Sequence, residues 1–258
     1  MARLVLSGVS VRYPVYSTSR QRSILGFAAN RASFGRIARD AGSVAFVDAL
    51  DNVSFRLNDG DRLALVGRNG SGKTTLLKLC SGLILPTHGA FEVEGSRASI
   101  ITPGAGLDHE KTGLENVELF ARLLGVRRAE RKMLLEDVAE FTELGDYLAL
   151  PIRTYSAGML VRLMFALATS VPRDVLIVDE IIAAGDAMFV EKAAQRVQSL
   201  FSKAKILVLA THSGEIASQM CNRAIWMDSG RPVMSGAPDE VWDAYLNQRR
   251  PRTVFAVA

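Results

Sequence analysis

Cysteine is scarce in this chain. Its 258 residues include two, Cys80 and Cys221, and neither belongs to a C-x-x-C pair. That excludes a disulfide framework and a cysteine-rich zinc site, and it points to a reducing cytosol. Long apolar runs are also missing: none reaches the roughly 20 residues that cross a bilayer, so any work at a membrane is expected from its surface. The opening stretch "MARLVLSGVSVRYP" is too short and too broken by polar residues to read as a signal peptide. No internal repeat or low-complexity segment stands out. The charge bias is small, at +4, and does not by itself argue for a nucleic-acid partner.

What is present is ordinary globular material. Apolar residues make up 48% and charged residues 22%, enough for one large domain or one domain with a small subdomain. Residues 2–13 and 49–57 alternate as strands do. Between them an insertion at about 15–45 carries Arg20, Arg22, Arg31, Arg36 and Arg39 with almost no acid. It reads as one or two short amphipathic helices, either a solvated excursion or a basic arm for a membrane or anionic partner. A strand, a glycine-rich loop and a helix follow, the helix ending near Gly82 with Pro86 beyond. Residues 97–101 suggest another strand, and 112–171 have helical periodicity. "DVLIVDE" and "KILVLATH" are short, solidly apolar runs ending in polar residues, as buried parallel strands do. The helical stretch "VEKAAQRVQSLF" lies between them. A hairpin in "AIWMDSGRPVMSGAP" and a helix near 239–247 close the chain. The expected class is α/β, with a parallel core and a mostly helical insertion.

Three strand ends carry chemistry. "GRNGSGKT", Gly67 to Thr74, fits G-x-x-x-x-G-K-[ST] between a strand and a helix, the setting that motif requires. Gly67, Gly70 and Gly72 let the backbone curl so that N–H groups, those of Asn69 and Ser71 among them, face a phosphate. The helix starting near Lys73 adds its positive end. Lys73 reaches the β- and γ-phosphates, while the Thr74 hydroxyl suits Mg²⁺ and Thr75 follows it. Asp179 ends the strand "VLIVD" and suits the hold on Mg²⁺ seen in P-loop enzymes. Glu180, next in line, is placed to polarise an attacking water. His212 leaves a third apolar strand at the edge where ligands bind parallel sheets, within reach of a γ-phosphate.

In that order the segments resemble the ATP-binding subunits of ABC transporters, over nearly the whole chain. "GRNGSGKTT" looks like Walker A, "VLIVDE" like Walker B with its catalytic Glu, and His212 like the switch histidine. "GD" with Asp186 looks like the loop that crosses the dimer interface. "YSAGM" occupies the slot of the L-S-G-G-Q signature, with Ala157 in place of a Gly and Met159 in place of Gln. The resemblance implies a P-loop ABC ATPase fold with a mixed or parallel core sheet. It adds an antiparallel β subdomain and a helical signature subdomain at about 104–172, all within residues 1–247. It implies a head-to-tail homodimer on two ATP molecules, in which Tyr155, Ser156, Ala157 and Gly158 meet the γ-phosphate held by the partner's P-loop. Tyr13, with Tyr16 second, is the candidate to stack on adenine.

A narrower resemblance, carried by Y-S-x-G-M, "DEIIAAGDAMFVEKA" and "GAGLDHEKTGLENVEL", is to the polysaccharide-exporter branch. It implies a Mg²⁺-dependent ATPase at the cytoplasmic face of a bacterial inner membrane, bound to two copies of a multi-span permease and to no nucleic acid. Its cargo would be a lipid-linked O-antigen or capsular polysaccharide, with teichoic acid as the same-class alternative. The family's usual Gln is missing from "SIITPGAGLDHEKTG"; a backbone carbonyl, a water or Glu110 are the candidate substitutes. Only "QRRPRTVFAVA" follows the core, and residues 248–258 leave no space for a carbohydrate-binding domain, so polymer selection is expected elsewhere. Two rivals stand outside transport: an ABC ATPase acting on nucleic acid, and a small-molecule kinase with a P-loop. The first lacks long coiled coils or a second cassette here; the second would not place Glu180, His212 and a signature in this order.

Overall fold

A computed structural model describes residues 1–15, 37–39, 45–100, 107–179 and 187–248. Glu180, Asp186, Tyr16, most of the basic insertion and the tail from residue 249 lie outside the described residues. So do residues 101–106, within the segment that lacks Gln.

Two sheets form. The first is antiparallel, in the order β2–β3–β1–β5, from β1 (Arg3–Val15), β2 (Ile37–Arg39), β3 (Ala45–Asn58) and β5 (His88–Glu94). The second runs β10–β9–β4–β8–β7–β6, from β4 (Arg62–Val66), β6 (Arg97–Ile100), β7 (Val175–Asp179), β8 (Ile206–Ala210), β9 (Arg223–Asp228) and β10 (Arg231–Gly236). Its neighbours pair parallel from β9 through β6, and β10 is the antiparallel edge. The core sheet is therefore mixed but mainly parallel, as expected.

The apolar runs of β7 and β8 follow from burial on both faces. Val175, Ile177, Ile206 and Val208 pack with β1, β3 and the helix α1 (Lys73–Ser81). The alternate residues Leu176, Val178, Leu207 and Leu209 pack against α5 (Ala187–Lys203), α6 (Gly214–Met220) and α7 (Pro238–Leu246). A third core joins α2 (Gly113–Leu123), α3 (Arg131–Thr142) and α4 (Ala157–Thr169) around Val138, Phe141 and Leu163. Short 3₁₀ turns at Gly145–Ala149 and Ile152–Thr154 break the helical stretch.

Helix ends obey local chemistry. Gly82 is left-handed, and the Gly82 and Leu83 amides bond back to Leu79 and Lys78 to stop α1. Thr112 and Glu115 form a reciprocal capping box that starts α2. At the rim opposite the glycine-rich loop, the Asp174 carboxylate accepts bonds from Lys205 Nζ (2.6 Å), Ser96 Oγ (2.8 Å) and Ser96 N (2.9 Å). The Lys205 ammonium, then the Ser96 donors, hold its pKa well below the usual carboxylate range and staple the starts of β6, β7 and β8.

Two strands were not read from the sequence. Ile37–Arg39, inside the insertion, pairs with Ala45–Val47 at the start of the long β3, while the short helices read for the rest of the insertion lie outside the described residues. The strand β5 was not expected at all. Only its Phe91 and Val93 pack on the core, too few apolar positions to show a period of two.

Candidate nucleotide-binding site

The strand order brings three distant segments to one rim. In the parallel register Asp179 lies beside Ala210 and Ala210 beside Leu65, so Gly67 and His212 each lie two residues beyond one level of the sheet. The loop from β4 to α1 is shaped by its glycines. Gly67, Gly70 and Gly72 have φ of 149°, 76° and 108°. A Cβ on Gly67 would collide with the Met227 carbonyl oxygen, and one on Gly72 would sit 2.8 Å from the Ala49 oxygen. A Cβ on Gly70 would meet nothing within 4 Å among the described residues, so there the positive φ of the turn is what calls for glycine.

The loop is held from below. The Ser71 amide donates to the Arg68 oxygen at 3.1 Å, and the Gly230 amide donates to the Ser71 oxygen at 2.8 Å. Gly230 is the tip of the β9–β10 hairpin and accepts in turn from the Asp51 amide at 2.9 Å. Met227, Gly230 and Ala49 were not singled out from the sequence. The Ser-Gly pair at the hairpin tip marked a turn but not its docking under the loop.

Lys73 is 7% exposed, and its Nζ donates to the oxygens of Gly67 (2.5 Å) and Arg68 (3.2 Å). The Thr74 hydroxyl donates to Asp179 Oδ2 at 2.9 Å, joining the two expected metal-site residues directly. Ser71 Oγ is buried with no hydrogen-bond partner among the described residues. A curled cradle, a buried ammonium, an orphaned hydroxyl and a hydroxyl–carboxylate pair fit a triphosphate with Mg²⁺. No group of three or more His, Cys, Asp or Glu ready to hold a metal exists among the described residues. That is compatible, because Mg²⁺ takes one or two protein oxygens and completes its shell from phosphates and water. Asn69 is exposed and Thr75 half-buried. Cys80, beneath the cradle on α1, is inert; burial pushes its thiol up to about 12.

His212 is exposed in a pinned turn. The Thr211 amide donates to the Leu65 oxygen at 3.3 Å, and the Ser213 amide to Thr211 Oγ1 at 3.1 Å. Tyr13 lies on β1 opposite Val47, 40% exposed, two residues along β3 from the Ala49 that closes on Gly72.

The segment Tyr155–Gly158 lies apart from this cradle, on the helical layer. Ser156 caps α4, accepting from the Met159 amide at 3.2 Å. The Tyr155 hydroxyl donates to the Tyr147 oxygen at 2.8 Å and fills the space left by the missing side chain of Gly113; burial raises its pKa. Ala157 and Gly158 are exposed, and a Cβ on Gly158 would meet nothing nearer than Ser156 Oγ at 4.0 Å. Among the described residues of one chain nothing requires that glycine. Glu110 forms an ion pair with Arg153, so it turns toward the turn that precedes Ser156.

Comparison with known proteins agrees with this arrangement. The family described as ABC transporter matches residues 50–183, which contain the cradle, the helical layer and Asp179. The chain is 41% identical to the O-antigen export system ATP-binding protein RfbE of Yersinia enterocolitica, over 89% of this chain and 96% of that protein. It is 39% identical to RfbB of Klebsiella pneumoniae, another O-antigen export system ATP-binding protein, over 76% of this chain and 80% of that one. To the teichoic acids export ATP-binding protein TagH of Lactococcus lactis it is 36% identical over 76% of its length, spanning 42% of that longer protein. Among solved structures, the ATP binding subunit of an ABC transporter superposes with a TM-score of 0.67 at 23% identity, over 96% of this chain and 94% of that one. A dimeric ATP-binding cassette with ADP and Pi superposes at 0.65 and 19% identity, over 91% of this chain and 98% of that one; both likenesses are of fold. The glycine cradle with its paired Thr74 and Asp179 thus sits inside a family match and a family fold, and the chain belongs to the ABC transporter family.

Proposed function

We propose that the chain is the ATP-hydrolysing subunit of an exporter that moves a lipid-linked cell-surface polysaccharide, O-antigen or capsule, across the inner membrane. The observation that carries the chemistry is the Thr74–Asp179 pair at the mouth of the Gly67–Lys73 cradle. The cargo rests on the resemblance to O-antigen export proteins over nearly full length. In this reading Thr74 and Asp179 would hold Mg²⁺, which would supply charge neutralisation at the phosphates. Backbone amides and Lys73 bind the phosphates, Glu180 takes the proton of the attacking water, and His212 hydrogen-bonds the γ-phosphate. Tyr13 stacks on adenine.

Two copies close head to tail, so that Ser156 and Gly158 of one meet the phosphate bound by the other across the Asp186 loops. The division into a cassette with a helical subdomain at 104–172 belongs to the same reading. So does a seat at the cytoplasmic face on two permease subunits; no helix among the described residues is long and apolar enough to cross a membrane. A second cargo, teichoic acid, is favoured by the resemblance to TagH.

Removing the chain from its host is expected to abolish surface polysaccharide and trap the lipid-linked precursor on the inner face, with recovery on re-expression. Unchanged surface polymer, checked by glycan staining and lipid extraction, would refute the cargo.

Gly158 tests the cross-dimer contact separately. Glycine at a helical position costs about 0.5–1 kcal/mol relative to alanine, and among the described residues its missing Cβ would meet nothing nearer than Ser156 Oγ at 4.0 Å. Gly158→Ala should therefore raise thermal stability slightly while lowering ATP hydrolysis about tenfold or more, through closer backbone approach lost at the phosphate. Undiminished hydrolysis would remove Gly158 from the site.

A further inference from the structure

The helix α7 is not part of the nucleotide cradle, yet it touches the switch element. His212 is followed by Ser213, which caps α6 by accepting from the Ile216 amide at 3.3 Å, and by Gly214, the first residue of that helix. The indole of Trp242, on α7, lies directly against Gly214: a Cβ there would overlap its Nε1, Cδ1 and Cε2 atoms. The turn bearing His212 is thus pinned toward β4 by Thr211 and braced from behind by an aromatic ring.

The brace is itself anchored. Val241 on α7 is fully buried, and Ser218 of α6 hydrogen-bonds Asp239 of α7. Trp242 contacts Tyr245 at 5.5 Å between ring centroids, and Tyr245 contacts Trp226 edge-on at 5.8 Å. Trp226 precedes Met227, whose carbonyl oxygen closes on Gly67 at the start of the cradle. Three rings therefore connect the element after His212 with the floor under the phosphate loop.

We propose that Trp242 is a positioning residue for His212, setting where the imidazole meets the γ-phosphate. This rests on the reading of His212 as a phosphate-contacting residue. The physical ground is direct contact: with the Trp242 ring seated against Gly214, the start of α6 cannot move toward α7 without displacing the ring, and removing the ring removes that stop. A side chain displaced by about 1 Å can forfeit up to 10²-fold in rate without contact with substrate being lost elsewhere.

The test is a double-mutant cycle on steady-state ATP hydrolysis by the full chain. Trp242→Ala is expected to lower kcat about tenfold or more with KM changed less than about threefold. Trp242→Phe should restore most of it, because a ring still fills the space against Gly214. Combined with His212→Ala, Trp242→Ala should cost little more, since both remove one contact. A second measurement covers poor folding of the alanine variant. The chain has two tryptophans, so Trp226→Phe leaves Trp242 as the sole indole. Its emission should shift on adding Mg-ATP, and the shift should vanish with His212→Ala. Independent, multiplicative losses in the cycle, or an indole indifferent to nucleotide, would overturn the proposal. Undiminished turnover by His212→Ala alone would instead overturn the reading of His212 itself.

Discussion

Lys73→Ala is expected to weaken nucleotide binding by about 30-fold or more, which corresponds to roughly 2 kcal/mol or above for a lost charge-assisted hydrogen bond to phosphate. The magnitude follows from where the ammonium sits. Lys73 is 7% exposed, and water screens its charge little. Its Nζ donates to the carbonyl oxygens of Gly67 and Arg68, so a phosphate arriving at the cradle meets an ammonium already desolvated and held at the loop. The substitution also removes the two bonds that close the loop on itself. Lys73→Arg is not a remedy, since a planar guanidinium cannot take the place of a point charge in so tight a slot. A calorimetric titration with a non-hydrolysable ATP analogue reads the result. Unchanged affinity would mean that the backbone amides and the α1 terminus bind the phosphates without help.

The parts of this site that could be read from the sequence share one property: their chemistry is local. "GRNGSGKT" states its own conformation, because three glycines must take positive φ, and all three do. Gly82 ended α1 in the left-handed geometry expected of it. β7 and β8 announced themselves as unbroken apolar runs because helices cover one face and the antiparallel layer the other. Long-range partners left no such trace. That β4 lies between β8 and β9, placing His212 beside the cradle, is a property of strand order, and no residue in any of the three spells it. The docking of the Gly230 hairpin tip under Ser71 and of Trp242 on Gly214 depends on shape across distant segments. β5 escaped because its solvent face and short buried set weaken the alternation. In the signature slot, by contrast, Ser156 is a local helix cap, and the exposed Gly158 is where a purely local explanation runs out.

Glu180→Gln should lower ATP turnover by about 10²–10⁴-fold, the usual contribution of a positioned general base, while nucleotide affinity stays close to that of the parent. The residue follows Asp179 directly, and Asp179 is already committed: its Oδ2 accepts from the Thr74 hydroxyl at 2.9 Å at the mouth of the cradle. A carboxylate engaged at the metal position is a poor proton acceptor, so the next residue beyond the strand is the one free to serve the attacking water. Glutamine keeps the size and the hydrogen-bonding reach of glutamate but cannot take a proton at neutral pH. On the proposed placement of Glu180 it also removes one negative charge near the nucleotide's phosphates, which favours retention of ATP. The variant should therefore accumulate as an ATP-bound dimer, where the parent cycles through it. Phosphate release measures the first effect, and size-exclusion chromatography with and without Mg-ATP measures the second. If turnover survives, the base lies elsewhere, with His212 the next residue to substitute. If turnover is lost but no ATP-dependent dimer forms, the head-to-tail arrangement through Ser156 and Gly158 fails instead, and the two results separate the chemistry at one cradle from the assembly that completes it.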